Sequence, residues 1–130
     1  MVLLGIIKRE RIDMNIEMNS LIENIKVDYL NWTTRCADAK GRNTLSDINE
    51  EMIARFNENL TYKTGSKYIK IFTVGGSVWG FVVNTDKDKK FAKGDILMAA
   101  GYNAPARNAA RGNIIDGGYT IQWTGPLYLK

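Results

Sequence analysis

Two arginines, Arg107 and Arg111, stand four residues apart in AGYNAPARNAARGN, residues 100–113, among side chains too small to bury much apolar surface. A guanidinium fork meets phosphate or carboxylate oxygens two bonds at a time, and two arginines at i and i+4 of a helix share a face. Pro105 suits a first helical position and Gly112 a helix stop, so the spacing predicts roughly two turns of helix over PARNAARG. Backbone N–H groups near Ala106 and Arg107 would add a field favourable to negative charge, and Asn103 and Asn108 supply amides for the polar groups of a sugar or base. Such a face fits pyrophosphate, a nucleic-acid backbone or an acidic protein surface. The opposing reading pairs both arginines with carboxylates of the protein itself, Asp95 or Asp116 among them, or leaves them in water. The stretch is no P-loop, because GxxxxGK is absent, and VGG after a strand lacks the following helix.

Other chemistry is narrowed by what the chain lacks. It has no histidine, which excludes Ser-His-Asp and Cys-His nucleophile pairs and the usual His-ligated zinc sites. Its single cysteine, Cys36, excludes an internal disulfide and a thiolate cage within one chain, and fits a reducing compartment. Asp86 and Asp88 alternate with lysines in NTDKDKK and read as a solvated turn rather than a catalytic carboxylate pair. Binding therefore stands ahead of catalysis, no cofactor or metal is expected, and the protein is not expected to be an enzyme.

Charge and aromatic residues gather on the same side of the sequence. Residues 1–62 carry 8 basic and 10 acidic groups, whereas residues 63–130 carry 10 basic and 4 acidic, within a net +4 for the chain. A basic second half implies an anionic partner or a charged, solubilising surface. Trp79, Phe81, Phe91, Tyr102, Tyr119 and Trp123 all lie there, as an aromatic platform for bases requires. Trp79 and Phe81, two apart in a strand with Ser77 and Val83, equally read as one core face.

The elements that must position these residues follow from periodicity. The 130 residues make one α+β domain, with N-terminal helices followed by a C-terminal antiparallel sheet. A helix is expected from Met14 to about Lys40 on Ile16, Leu21, Ile22, Ile25, Leu30 and Trp32. A second follows a Thr44/Asp47 capping box, its stripe being Leu45, Ile48, Met52, Ile53, Phe56 and Leu60, with Arg55 at the border. The helical half spans 14–62 and the β half, with its binding loop, 63–130. Tyr68 to Asn84 reads as a hairpin, FAKGDILMAA as a short strand pair or a strand with a Gly-Asp turn, and NIIDGGYTIQW as a hairpin around Gly117-Gly118. Pro126 demotes the last segment to edge strand or coil. The opening MVLLGII precedes its charges and has no cleavage site, so no signal peptide is expected, and no apolar run is long enough to cross a bilayer. Residues 1–13, without cap or period, read as a start-site extension before a natural start at Met14.

SVWGFV, then FAKGDILMAAGYNAPARNAARGN, then IQWTGPLYL, together about residues 66–129, resemble the first-described family of phage anti-Thoeris sponge proteins. The resemblance implies a small α+β protein that assembles as a dimer or a dimer-built higher homo-oligomer, with ligand sites between subunits, in the cytoplasm of an infected bacterium. It implies sequestration, without cleavage, of a cyclic ADP-ribose isomer (glycocyclic ADP-ribose) made by bacterial TIR-domain proteins. In that reading Arg107 and Arg111 face the pyrophosphate. Phe81 packs on the adenine, with Trp79 or Phe91 as substitutes, and Asn103 sits beside the base. Some members hold cyclic trinucleotides at a second inter-subunit site through a helix arginine, a place Arg55 would fill. The competing reading is a small basic phage protein that binds single-stranded nucleic acid through the β half. A third is an inhibitor that docks on an acidic host enzyme.

Overall fold

Met14 opens the described part of the chain as a fully buried side chain with φ of 60°, and its carbonyl accepts the amide of Met18 at 2.8 Å. The computed structural model describes residues 14–39 and 47–126; the extension 1–13 and the Thr44 end of the capping box lie outside them. Helix α1 (Asn15–Ala39) buries Met18, Leu21, Ile22, Ile25 and Tyr29, a stripe spaced by three and four residues as an amphipathic helix requires. Ile16, Leu30 and Trp32, expected on that stripe, are exposed.

Helix α2 (Asp47–Asn59) departs from its expected stripe, whose first residue, Leu45, lies outside the described residues. It buries no residue fully, Ile48 and Met52 are 70% and 46% exposed, and Leu60 belongs to the following strand. The helical period over-reads here because Leu60 continues the spacing by coincidence while its backbone pairs across to Thr73.

Four strands follow: β1 (Leu60–Thr64), β2 (Tyr68–Thr73), β3 (Val78–Val83) and β4 (Ile96–Leu97). They form one antiparallel sheet in sequence order. The expected Tyr68–Asn84 hairpin is present as β2–β3, and β1 adds an edge that begins inside the expected helical half, at residues 60–62. Segment 111–114 runs beside β4, with Ile96 N–H donating to Gly112 O, Arg111 N–H to Ile96 O and Ile114 N–H to Gly94 O. Two small ladders complete the fold: β5 (Ala99–Gly101) with β6 (Ala104–Pro105), and β7 (Ile121–Gln122) with β8 (Gly125–Pro126).

A β-bulge decides what each face of the sheet carries. Ile71 pairs with Gly80 but Phe72 pairs with Val78, so Trp79 is the extra residue on β3. Trp79 therefore joins the helix-side core with Ile69, Ile71, Val82, Ile96 and the α1 stripe. Phe81 lies in a second cluster with Val83, Phe91 and Leu97 on the other side. The expectation that Trp79 and Phe81 share a face fails at this bulge.

The expected hairpin around Gly117-Gly118 is displaced. Asn113 Oδ1 accepts the amides of Ile115 and Asp116, and Gly117 N–H donates to Asn113 O, which coils 113–117 into a turn. The reversal falls instead at Trp123-Thr124, between β7 and β8. Trp123 N–H donates to Asp28 of α1 at 2.8 Å, and Trp79 Nε1–H donates to Gln122 O at 2.8 Å. Tyr29, Phe56 and Trp123 stack into an aromatic joint between the two helices and this hairpin. Among the described residues no helix is long and apolar enough to cross a membrane.

Candidate functional site

The arginine loop is not a helix. Ala104 and Pro105 pair back onto β5, Ala106 N–H donates to Met98 O, and Arg111 N–H reaches Ile96 O. These donors go to neighbouring chain rather than four residues back, so strand pairing overrides the helical propensity of the alanines. Gly112, at φ of 150°, ends the loop where an added Cβ would lie 2.6 Å from the Tyr119 Cβ. Arg107 and Arg111 accordingly have no helix face to share.

Each arginine has its own surroundings. Arg107 makes a two-pronged ion pair with Asp88, Nη1 to Oδ2 and Nη2 to Oδ1 both at 2.9 Å. Its Nη1 also donates to the Tyr68 hydroxyl at 2.5 Å, and its Cζ lies 5.0 Å from the Phe91 ring centroid. Asp88 is no solvated turn residue, because its Oδ1 also accepts the amides of Lys90 and Phe91. The Arg107 hydrogen bonds, reinforced by those two amides, hold the Asp88 carboxyl well below the usual carboxylate range. The same pair raises the Arg107 guanidinium above its ordinary value. Carboxylate pairing is thus right for Arg107, with Asp88 rather than Asp95 or Asp116 as the partner. Asp95 instead accepts from the Asn113 amide at 2.9 Å. Arg111 donates from Nη1 to Asn108 Oδ1 and Ala109 O, while its buried Nε has no hydrogen-bond partner.

Two of the expected ligand residues meet in one place. A surface recess of about 310 Å³ is lined by Phe81, Asn103, Tyr68, Lys63, Lys67 and Lys70 together with residues 64–66. Phe81 contributes little of its surface, being only 3% exposed and packed edge-on to Tyr68 at 6.1 Å between centroids. Asn103 accepts from Lys70 Nζ at 3.2 Å, and the same ammonium sits 3.4 Å from the Tyr102 ring centroid. Arg107 does not line the recess and is connected to it only by its hydrogen bond to the Tyr68 hydroxyl.

The remaining expected residues lie elsewhere. Trp79 lines a separate cavity of about 280 Å³ with Phe56 and Trp123 on the helix side of the sheet. Phe91 is buried beneath Arg107 and does not line the recess. Arg55 is exposed on α2 and pairs with Glu51 at 3.0 Å.

Lys63, Lys67, Lys70 and Tyr68 form no motif of their own in the sequence. Their convergence depends on strand register, since Lys63 stands directly opposite Lys70 on β1 and β2. Among the described residues no three Asp, Glu or Cys side chains converge to hold a metal ion. Comparison with protein-family models, with curated proteins and with solved structures returned no match to this chain.

Proposed function

We propose that this protein is a non-enzymatic sponge that binds a cyclic ADP-ribose isomer, glycocyclic ADP-ribose, and withholds it from a bacterial defence system. The resemblance noted in the sequence motivates this reading, and one structural observation carries it. Phe81 and Asn103, both named from the sequence, line a single recess with Tyr68 and three lysines. That combination joins aromatic surface, an amide and positive charge, which are the groups needed for base, sugar and phosphate. The recess is open, so tight retention calls for a second surface to close it. A homodimer or dimer-built oligomer in the bacterial cytoplasm fits that need, and the exposed Ile48 and Met52 on α2 are consistent with an assembly face.

Titration calorimetry with glycocyclic ADP-ribose, followed by heat denaturation and chromatography of what is released, tests the function. Tight binding with intact ligand recovered is expected. Recovery of a cleaved product would replace the sponge with an enzyme, and no binding would remove the reading.

A further inference from the structure

Resting on the reading of the recess as a nucleotide site, we propose that Asp88 is an internal competitor for the ligand's phosphates. Its carboxylate occupies the Arg107 fork, and an anion with paired oxygens must exchange for it before Arg107 joins the site. The first argument is which partner is able to move. Both prongs of the pair measure 2.9 Å, yet the Asp88 side chain is 10% exposed and the Arg107 side chain 42%. Asp88 is also anchored by the Lys90 and Phe91 amides, which reach its Oδ1 at 2.8 and 2.9 Å. Those bonds remain when Arg107 leaves, so the carboxylate keeps two partners. The backbone at Arg107 stays too, because Lys90 Nζ donates to Arg107 O at 2.6 Å and Ala106 N–H donates to Met98 O. The exchange needs only the Arg107 side chain to turn, which limits its ordering cost.

The second argument is position. Arg107 Nη1 donates to the Tyr68 hydroxyl at 2.5 Å, and Tyr68 lines the recess with Phe81 and Asn103. The guanidinium is thus one hydrogen bond away from the recess. Arg111 carries no comparable restraint, since its Nη1 donates to Asn108 Oδ1 and Ala109 O, neither of them charged. The carboxylate acts on one arginine of the two.

The third argument is chemistry. A guanidinium fork takes a carboxylate or a phosphate through the same parallel N–H···O bonds, so the two anions compete for one donor set. A ligand whose bond to the fork is no better than that of Asp88, such as another carboxylate, gains nothing from Arg107. A pyrophosphate carries more charge on more oxygens and displaces Asp88. The class selected is therefore a pyrophosphate ester, and its affinity is lower than it would be without Asp88.

The test is calorimetry on the full chain at physiological salt, well below the unfolding transition, with ADP, inorganic pyrophosphate and adenosine as probes. Asp88→Asn keeps a side-chain oxygen for the two amides and loses the charge. It should tighten ADP and pyrophosphate about threefold to tenfold and leave adenosine within about twofold. Arg107→Ala should weaken ADP about tenfold, and adding Asp88→Asn to it should change nothing further. Asp86→Asn removes the same charge from an exposed neighbour and should move ADP less than about twofold. In the unaltered chain, pyrophosphate should shift the Arg107 guanidinium resonance and the Lys90 and Phe91 amides, and adenosine should shift none of them.

Several results overturn the proposal: ADP affinity unchanged or weaker in Asp88→Asn, a gain that survives Arg107→Ala, or an equal gain from Asp86→Asn. Bound pyrophosphate that leaves the Arg107 resonance in place also overturns it, as does no binding of ADP or pyrophosphate by either the unaltered chain or Asp88→Asn. Failure of the sponge reading has a different signature. ADP binding that tightens through Arg107 in Asp88→Asn, with no displacement by glycocyclic ADP-ribose, supports the competitor and sinks the sponge. Tight glycocyclic ADP-ribose binding that Asp88→Asn leaves unchanged does the reverse.

Discussion

The two faces of the four-stranded sheet are closed by different physics. On the helix side, Ile69, Ile71, Val82 and Ile96 meet Met14, Met18, Leu21 and Ile25 of α1 and its start, all 0–1% exposed, with no polar side chain among them. On the loop side a small cluster of Phe81, Val83, Phe91 and Leu97 is roofed by an arch whose ties are polar. The Arg107–Asp88 pair, the Asp88 cap on Lys90 and Phe91, and Asn113 across Lys93 and Asp95 hold that arch. Where that face is close-packed against α1 it leaves no room for a ligand, and its cavity of about 280 Å³ lies beside Phe56 and Trp123 instead. A face closed by directional bonds can stop short of the β1–β2 hairpin and leave a recess there.

That contrast predicts unequal sensitivity. Ile71→Ala, in the middle of the helix-side core, should cost about 2–5 kcal/mol in urea unfolding, because transfer and cavity terms add where neighbours cannot collapse. It should leave the shape of the recess intact, so ADP affinity measured well below the unfolding transition should match wild type. A small stability loss would mean that the helix side is looser than its burial implies.

How much of this was legible beforehand differs between the same two faces. The α1 helix, the Tyr68–Asn84 hairpin and the α+β order follow from local period and are present, although only Leu21, Ile22 and Ile25 of the expected α1 stripe are buried. What failed depended on pairing that a period cannot express. The bulge at Trp79 separated it from Phe81, and strand pairing at Ala106 and Arg111 displaced a local helix. The site was half legible for the same reason. Asn103 and Phe81 stood out by type, but Lys63 and Lys70 become neighbours only once β1 and β2 are in register. Arg107, expected to face a ligand's phosphates, pairs with Asp88 of the chain itself, a partner that only the folded loop brings within reach.

On the loop side the largest single loss should come from Asn113→Ala. One amide there donates to Lys93 O and Asp95 Oδ1 and accepts from Ile115 and Asp116 N–H. Removing it takes a hydrogen bond from two part-buried acceptors and two exposed amides, about 1–3 kcal/mol by denaturant titration. A cost within about 0.5 kcal/mol, typical of an ordinary surface change, would show that water replaces those ties and that the arch is not held by them.

The Arg107–Asp88 tie should show itself through pH. Asp88 ordinarily titrates near 3.8 and is held lower in the folded chain, so its contribution is complete above that value. It is lost as pH falls from about 4 through the lowered folded value. Asp88→Asn should therefore lower the urea midpoint at neutral pH, and the gap to wild type should narrow steadily below about pH 4. A gap that does not change with pH would mean that the side chain acts through shape and its amide bonds alone. Arg107 stays charged throughout this range, so no second titration obscures the test.

The smallest effect on the folded chain, and the sharpest on its company, is expected at α2. Ile48 and Met52 lie one helical turn apart and outside both clusters. Changing both to Ser should move stability of the chain itself by no more than about 0.5 kcal/mol, because neither rests on a core. If the oligomer is built on this helix, the same double change should convert it to monomer in light scattering at micromolar concentration. Ligand retention should then fall as well, since an open recess keeps a small anion only when a second surface covers it. Loss of assembly with retention unchanged would place closure of the recess within one chain, and make the polar arch itself its lid.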